Sequence, residues 1–370
     1  MMDPKAYWVG FNLIKGIGSV KTRLLLDKFE TLENAWKASS QQLISIGLSE
    51  RIVESFVSKR KQVDPEEIWE KIAEKGIEVL TWEDSNYPKK LFEVDQPPPV
   101  LYYKGKIKSE DDWAIAIVGT RRMTVYGRQV TQDLATVLAS KGVTVVSGLA
   151  RGIDAIAHTA AMDAGGRTFA VLGCGADIVY PPENRKIYER IIESGALISE
   201  YPLGTMPEST NFPPRNRIIS GLSHATVVVE AGETSGALIT ASFAANQGRE
   251  VFAVPGNILA PQSMGCNRLI RDGARILLNP NDVLETLNLS AVGEYKQARL
   301  LIPGNEVEST MLKILDNESL HIDEIQARSG LPIEKVSATL VMMELKGMVK
   351  QMDGMTYMVL HEGTGYYQAN

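Results

Sequence analysis

The sequence predicts an α/β protein: an extended Rossmann-like, doubly wound parallel sheet, with a helical domain before it and a winged-helix domain after it. Three observations carry that prediction. Short runs of small and β-branched residues (Ile115–Val118, Val143–Ser147, Thr168–Leu172, Ala196–Ser199, Thr226–Glu230, Val251–Val254 and Arg275–Leu278) alternate with stretches of helical periodicity. That is how strands buried on both faces of a parallel sheet read. Most runs end in a polar, glycine-bearing segment, the turn from strand to helix. Finally, the C-terminal stretch has the pattern of three short helices and a hairpin, which together make a winged helix.

A length of 370 residues gives two or three domains. Residues 1–70 form the helical one. Leu13 to Lys21 reads as a helix end, a glycine hairpin (Gly16-Ile17-Gly18) and a new helix with Ser19 near its N-cap, a helix-hairpin-helix or SAM-like arrangement. Ile46-Gly47-Leu48-Ser49 is a degenerate second copy. Such hairpins can present amides to a DNA phosphate with Lys15 and Lys21 in support, or their glycines can serve only the turns; the region shows a good core and no basic face. Residues 71–290 hold the sheet. They open with strand-like pieces around Asp95-Gln96-Pro97-Pro98-Pro99, read as a connector. The run Ala114–Val118 is the central strand, Gly119 its turn, and Tyr126–Ser140 the following helix, with Val130, Leu134, Val137 and Leu138 at helical spacing. Residues 291–304 read as a linker and 305–370 as the winged helix, with a hairpin turning at Asp353-Gly354.

The composition sets limits. Hydrophobic content of 44% and charged content of 23% are those of a globular protein, and no apolar run approaches the length needed to cross a bilayer. The N-terminus lacks a basic stretch followed by an apolar core, so the expected location is the cytoplasm. Cys174 and Cys266 alone make neither a disulfide framework nor a zinc site. A net charge of −6 argues against an indiscriminate basic DNA coat but not against a local cluster. Between Glu306 and Leu360 nine carboxylates (Glu306, Glu308, Asp316, Glu318, Asp323, Glu324, Glu334, Glu344, Asp353) outnumber five cations (Lys313, Arg328, Lys335, Lys346, Lys350). An acidic winged helix works against a phosphate field, so a protein-contact or regulatory role is expected for it.

All the strand-end loops of a parallel sheet lie on one edge. Here they bear Gly119-Thr120-Arg121-Arg122, then Ser147-Gly148 with Arg151, then Arg185, then Asn211-Phe212-Pro213-Pro214-Arg215-Asn216-Arg217, and finally Thr234-Ser235-Gly236. Six arginines from four loops can meet in one crevice, which suits an anionic ligand bearing phosphate. After Gly119, exposed amides and the positive end of the next helix are expected to face it. Arg215 and Arg217 are expected on one side of a short extended or turning segment, clamping the next phosphate after Arg121, and Phe212 is either a base platform or a core plug. Other chemistries fit poorly. The first turn lacks G-x-G-x-x-G, no Walker motif is present, and His158 has no G-x-S-x-G partner and reads as a helix-surface residue. No metal cluster or cofactor motif is visible, so binding is expected rather than turnover.

Gly119-Thr120-Arg121, Ser147-Gly148-Leu149-Ala150-Arg151-Gly152-Ile153-Asp154-Ala155, Ser199-Glu200-Tyr201-Pro202, Phe212-Pro213-Pro214-Arg215-Asn216-Arg217-Ile218-Ile219 and Val254-Pro255-Gly256 resemble the motifs of the DNA-processing protein A family (DprA, also called Smf). The resemblance spans about Trp113 to Leu287, with Thr120 where serine is common. It implies a bacterial, cytoplasmic homodimer without catalytic activity or cofactor. Such a protein binds single-stranded DNA and helps load the RecA recombinase in natural transformation. It places DNA against Gly119, Thr120, Arg121, Ser147, Gly148, Arg151, Asn211, Phe212, Arg215, Asn216, Arg217, Ser235 and Gly236. The alternative is a nucleoside-monophosphate phosphoribohydrolase of the same fold, whose signature is P-G-G-x-G-T-x-x-E. Thr240 stands where its glutamate would act, leaving Glu230 or Glu233 as substitutes.

Overall fold

The computed structural model describes residues 3–287, 289, 306–315, 318–345 and 348–359. The chain divides into two compact units, Met1–Ser290 and Ala291–Asn370.

In the first unit, nine strands form one sheet: β1 (Glu78–Thr81), β2 (Val100–Gly105), β3 (Ala114–Val118), β4 (Thr144–Ser147), β5 (Thr168–Val171), β6 (Ala196–Ser199), β7 (Ala225–Val228), β8 (Glu250–Ala253) and β9 (Arg275–Ile276). Their order is β1-β2-β6-β5-β4-β3-β7-β8-β9. From β6 to β9 every neighbouring pair is parallel. All five residues of β3 are buried, because helices cover both faces of the sheet. The strand-like pieces on either side of the proline run are strands of this same sheet: β1 pairs antiparallel with β2, and β2 antiparallel with β6, so the sheet is mixed. The prolines between them bond outward only through carbonyls, with Pro98 O accepting from Trp82 Nε1 and Tyr87 Oη.

The N-terminal helices share a core with this antiparallel edge. Phe11 and Phe56 stack at 5.2 Å and Trp36 meets both edge-on, while Val79, Val100 and Tyr102 belong to the same apolar cluster. In the glycine hairpin, Lys21 Nζ donates to Gly16 O (2.7 Å) and Ser19 Oγ to Pro97 O (2.6 Å). Those groups therefore serve the turn and its docking.

The second unit has helices Glu306–Ile314, Ile322–Ser329 and Ile333–Leu345 and strands β10 (Leu320–His321), β11 (Val349–Met352) and β12 (Thr356–Val359), in the sheet order β10-β12-β11. Gly330, at φ 67°, ends the middle helix in the left-handed region. Met311, Ile325, Leu340 and Tyr357 lie in its core. The expected linker at 291–304 lies outside the described residues.

Candidate nucleic-acid interface

The chain runs from β3 through β4 and β5 to β6 on one side, then returns to place β7 on the other side of β3. Loops leaving β3 and β7 therefore diverge, and such a switch point opens a crevice at the carboxyl edge. A cleft of about 620 Å³ lies there. Thr120, Arg121, Arg122, Phe212, Arg215 and Asn216 line one part of it, and Thr234, Ser235, Gly236 and Thr240 another.

Close backbone contacts build its floor. A Cβ on Gly119 would lie 2.5 Å from Ile153 Cγ1, so only glycine admits the start of the helix that follows β4. The Thr120 N–H donates to Glu230 O (2.7 Å), and Thr120 O accepts from the Ile153 N–H (3.2 Å). Gly148 makes room for Arg215, whose two terminal nitrogens would each sit 2.8 Å from a Cβ there.

The helix Val125–Ser140 does not offer its N-terminus to a ligand, contrary to expectation. Glu230, on the loop after β7, accepts from Thr124 N (2.8 Å) and Thr124 Oγ1 (2.7 Å), so a protein carboxylate already occupies the positive end of the dipole. The helix that does face the cleft is Gly236–Asn246, capped by Ser235 Oγ accepting from Ala237 N (3.3 Å).

The arginines divide into three groups. Arg121 and Arg122 are exposed and make no ion pair among the described residues. Arg151 pairs with Glu183, and Arg217 forks onto both oxygens of Glu200 (2.8 and 2.7 Å), so both cations are already offset. Arg215 is only 4% exposed, and its Nη1 donates to Gly148 O (2.9 Å) and Val171 O. Burial pulls its pKa down to about 10, with the Asp154 carboxylate opposing. Asp154 accepts from the Gly148 and Ala150 amides (3.1 and 3.3 Å); burial raises its pKa, Arg215 opposing.

Several expected contacts need correction. Phe212–Gly221 is a helix with its prolines in the first turn, where the absent N–H costs nothing. Residues two apart on a helix point about 200° away from each other. Arg215 and Arg217 thus face different ways and cannot form one clamp; Arg217 does not line the cleft. Ser147 is fully buried, its hydroxyl donating to Ile117 O (2.6 Å), and cannot touch a ligand. Gly148 and Arg151 line a small notch beside the cleft rather than the cleft itself, and Arg185 lines neither. Asn211 is tied through its carbonyl to Tyr201 Oη (3.0 Å) and stays outside the lining. His158 is completely buried, Nδ1 at 2.7 Å from Thr168 Oγ1, not on a helix surface.

Phe212 is half-buried and outside the core clusters. Its ring centroid lies 5.6 Å from that of Tyr180, and the Arg121 and Arg215 guanidinium carbons each lie 5.8 Å from it. Arg122, one of the six arginines expected there, lines the cleft; Tyr180 and Asp154 line it too and were not among the residues singled out from sequence as contacts. Asp154 sits inside the quoted glycine motif, and Tyr180 in Tyr180-Pro181-Pro182 after the third parallel strand; the position of an aromatic at a strand end was the available signal.

Among the described residues no group of three or more His, Cys, Asp or Glu is placed to hold a metal, and no helix is long and apolar enough to cross a membrane.

Comparison with known proteins fits this arrangement. The family model for DNA recombination-mediator protein A matches residues 78–288, and that for the DprA winged helix domain matches 296–355. Protein Smf of Synechocystis sp. is 38% identical over 390 aligned positions, covering 95% of this chain and 98% of the relative. DNA processing protein DprA of Bacillus subtilis is 43% identical over 215, covering 58% and 72%. The X-ray structure of DNA processing protein A from Streptococcus pneumoniae superimposes with a TM-score of 0.67 at 32% identity, covering 77% of this chain and 98% of that one. The Helicobacter pylori protein, solved for its single-stranded DNA binding mode, gives 0.52 at 33% identity, covering 58% and 97%. With both its sheet domain and its winged helix matched, the chain belongs to the DNA processing protein A (DprA/Smf) family.

Proposed function

We propose that this protein binds single-stranded DNA through its phosphate backbone in the cleft between the β3 and β7 loops. One observation carries the reading: Arg121 and Arg122 stand exposed with no carboxylate partner among the described residues, Arg121 beside the half-buried Phe212 ring. Free guanidinium forks take phosphate, and a ring beside them takes a base without reading its sequence. The volume suits a flexible strand rather than a rigid duplex. The Helicobacter pylori relative, described as binding single-stranded DNA, supports the same ligand here. In this reading the protein acts as a cytoplasmic homodimer that shields incoming DNA and passes it to a RecA-type recombinase during transformation.

The reading involves no turnover. Glu230 is engaged as a helix cap, and Glu233 lines a neighbouring cleft rather than this one. Thr240, where a phosphoribohydrolase carries its glutamate, is 1% exposed.

The test is a titration of fluorescent single-stranded and blunt duplex oligonucleotides of equal length at several stated salt concentrations. Preference for the single strand, with affinity falling as salt rises, is expected. Equal or tighter binding of the duplex at the same salt defeats the proposal.

A further inference from the structure

Beside the cleft, four large apolar side chains stand in solvent: Val125 (86% exposed), Tyr126 (51%), Ile258 (80%) and Leu259 (84%). Two elements bring them to the same edge of the sheet. Val125 and Tyr126 begin the helix after β3, three and four residues beyond Arg122. Ile258 and Leu259 form the tip of the loop after β8, which the Asn257 side chain and carbonyl hold in a turn by accepting from Leu259 N (2.9 Å) and Ala260 N (3.0 Å). The elements are joined, since Tyr126 Oη donates to Pro255 O (3.0 Å) at the base of that loop. The same loop abuts the cleft wall, where a Cβ on Gly232 would lie 3.3 Å from Pro261 O.

We propose that this apolar lip is the continuation of the cleft, taking the bases of the next nucleotides of a single strand whose phosphates follow Arg121 and Arg122. This rests on the cleft reading above. The lip's chemistry matches that occupant. Residues 255–264 contain no charged side chain, nor do residues 123–126, whereas Arg121, Arg122 and Arg128 flank the patch and are exposed. An uncharged floor with a basic rim fits apolar base faces beside phosphates. Tyr126, with its hydroxyl tied down, is a ring already fixed in place. A second copy of the chain fits less well: a two-fold contact through the lip sets this cluster of arginines against its own image.

The experiment uses the full chain and oligothymidylates of about 4 and about 16 nucleotides, with an abasic strand of the longer length, followed by fluorescence anisotropy across salt. The variants are Leu259→Ser, fully on the surface, Tyr126→Ala with Tyr126→Phe as its conservative partner, and Arg121→Ala. The expected result is that the longer strand binds more tightly than the short one. That gain falls about fivefold or more in Leu259→Ser and Tyr126→Ala, and with the abasic strand. It survives in Tyr126→Phe, and the salt dependence stays as in the wild type, since no phosphate contact is lost. If both lip variants keep the full gain, the proposal is overturned. It is equally overturned if Leu259→Ser lowers the sedimentation coefficient and leaves DNA affinity untouched, which assigns the lip to a second copy. Failure of the cleft itself looks different: the short strand then ignores Arg121→Ala, which overturns both readings.

Discussion

Arg121 and Arg215 lie within 6 Å of the same ring, yet one is exposed and the other is buried in the floor beneath it. Arg121 is exposed and makes no ion pair among the described residues, so on the proposed function Arg121→Ala removes a phosphate contact and little structure. The slope of log affinity against log salt for single strands should become shallower by about 0.7, with the melting temperature unchanged. Arg215 donates to carbonyls at the ends of two central strands and faces Asp154 in the interior. Arg215→Met strands both carbonyls and leaves a buried carboxylate without its cation, a loss on the order of 3–5 kcal/mol. Chemical denaturation of the two variants separates the roles. A stable Arg215→Met protein with a flattened salt slope would reverse the assignment.

At the scale of elements, His158 shows how the helix Ile153–Asp163 is bound to the sheet. Its Nδ1 meets Thr168 Oγ1, which itself donates to Val145 O, so the ring joins helix to β5 and β4. Burial, with Arg215 adding to it, lowers the imidazole pKa from 6.5 to about 3. The folded state therefore keeps this ring neutral while the unfolded chain protonates it below 6.5. Its contribution is complete above pH 6.5 and is lost as pH falls toward 3, with a limiting slope of about 1.4 kcal/mol per pH unit. Unfolding free energy measured from pH 7 to 4 should fall less steeply in His158→Gln; an unchanged slope rules this out. The sequence did not reveal His158 as buried, because one polar residue on a mostly apolar helix gives no sign of which face it occupies. It hid the Phe212–Gly221 helix for a related reason: two prolines signal a loop in most positions and a helix only in its first turn. The parallel strands were legible because burial on both faces leaves continuous apolar runs such as Ala114–Val118. The arginines were legible as a group, but whether each is free depends on Glu183, Glu200 and Asp154, which lie 17 to 61 residues away in sequence.

For the whole molecule, the distribution of charge bears on what each unit contributes. The free cations of the cleft belong to Met1–Ser290, itself a compact unit containing the full match to the DNA recombination-mediator model. The winged helix brings nine carboxylates and five cations between Glu306 and Leu360, a difference of −4. Its third helix, Ile333–Leu345, carries no arginine and a single lysine, Lys335. Such a surface repels phosphate on balance. Ending the chain at Ser290 should therefore leave single-strand affinity within about tenfold of the full chain, or about 1.4 kcal/mol. On the proposed function, transfer of the strand to a recombinase should suffer if the winged helix contacts proteins. Anisotropy on the truncated chain, with circular dichroism to confirm that it is folded, tests the first part. Strand exchange assays with added RecA test the second. A folded truncation that binds DNA a hundredfold more weakly would place an essential DNA contact on the acidic unit and remove the charge argument for its role in protein contact.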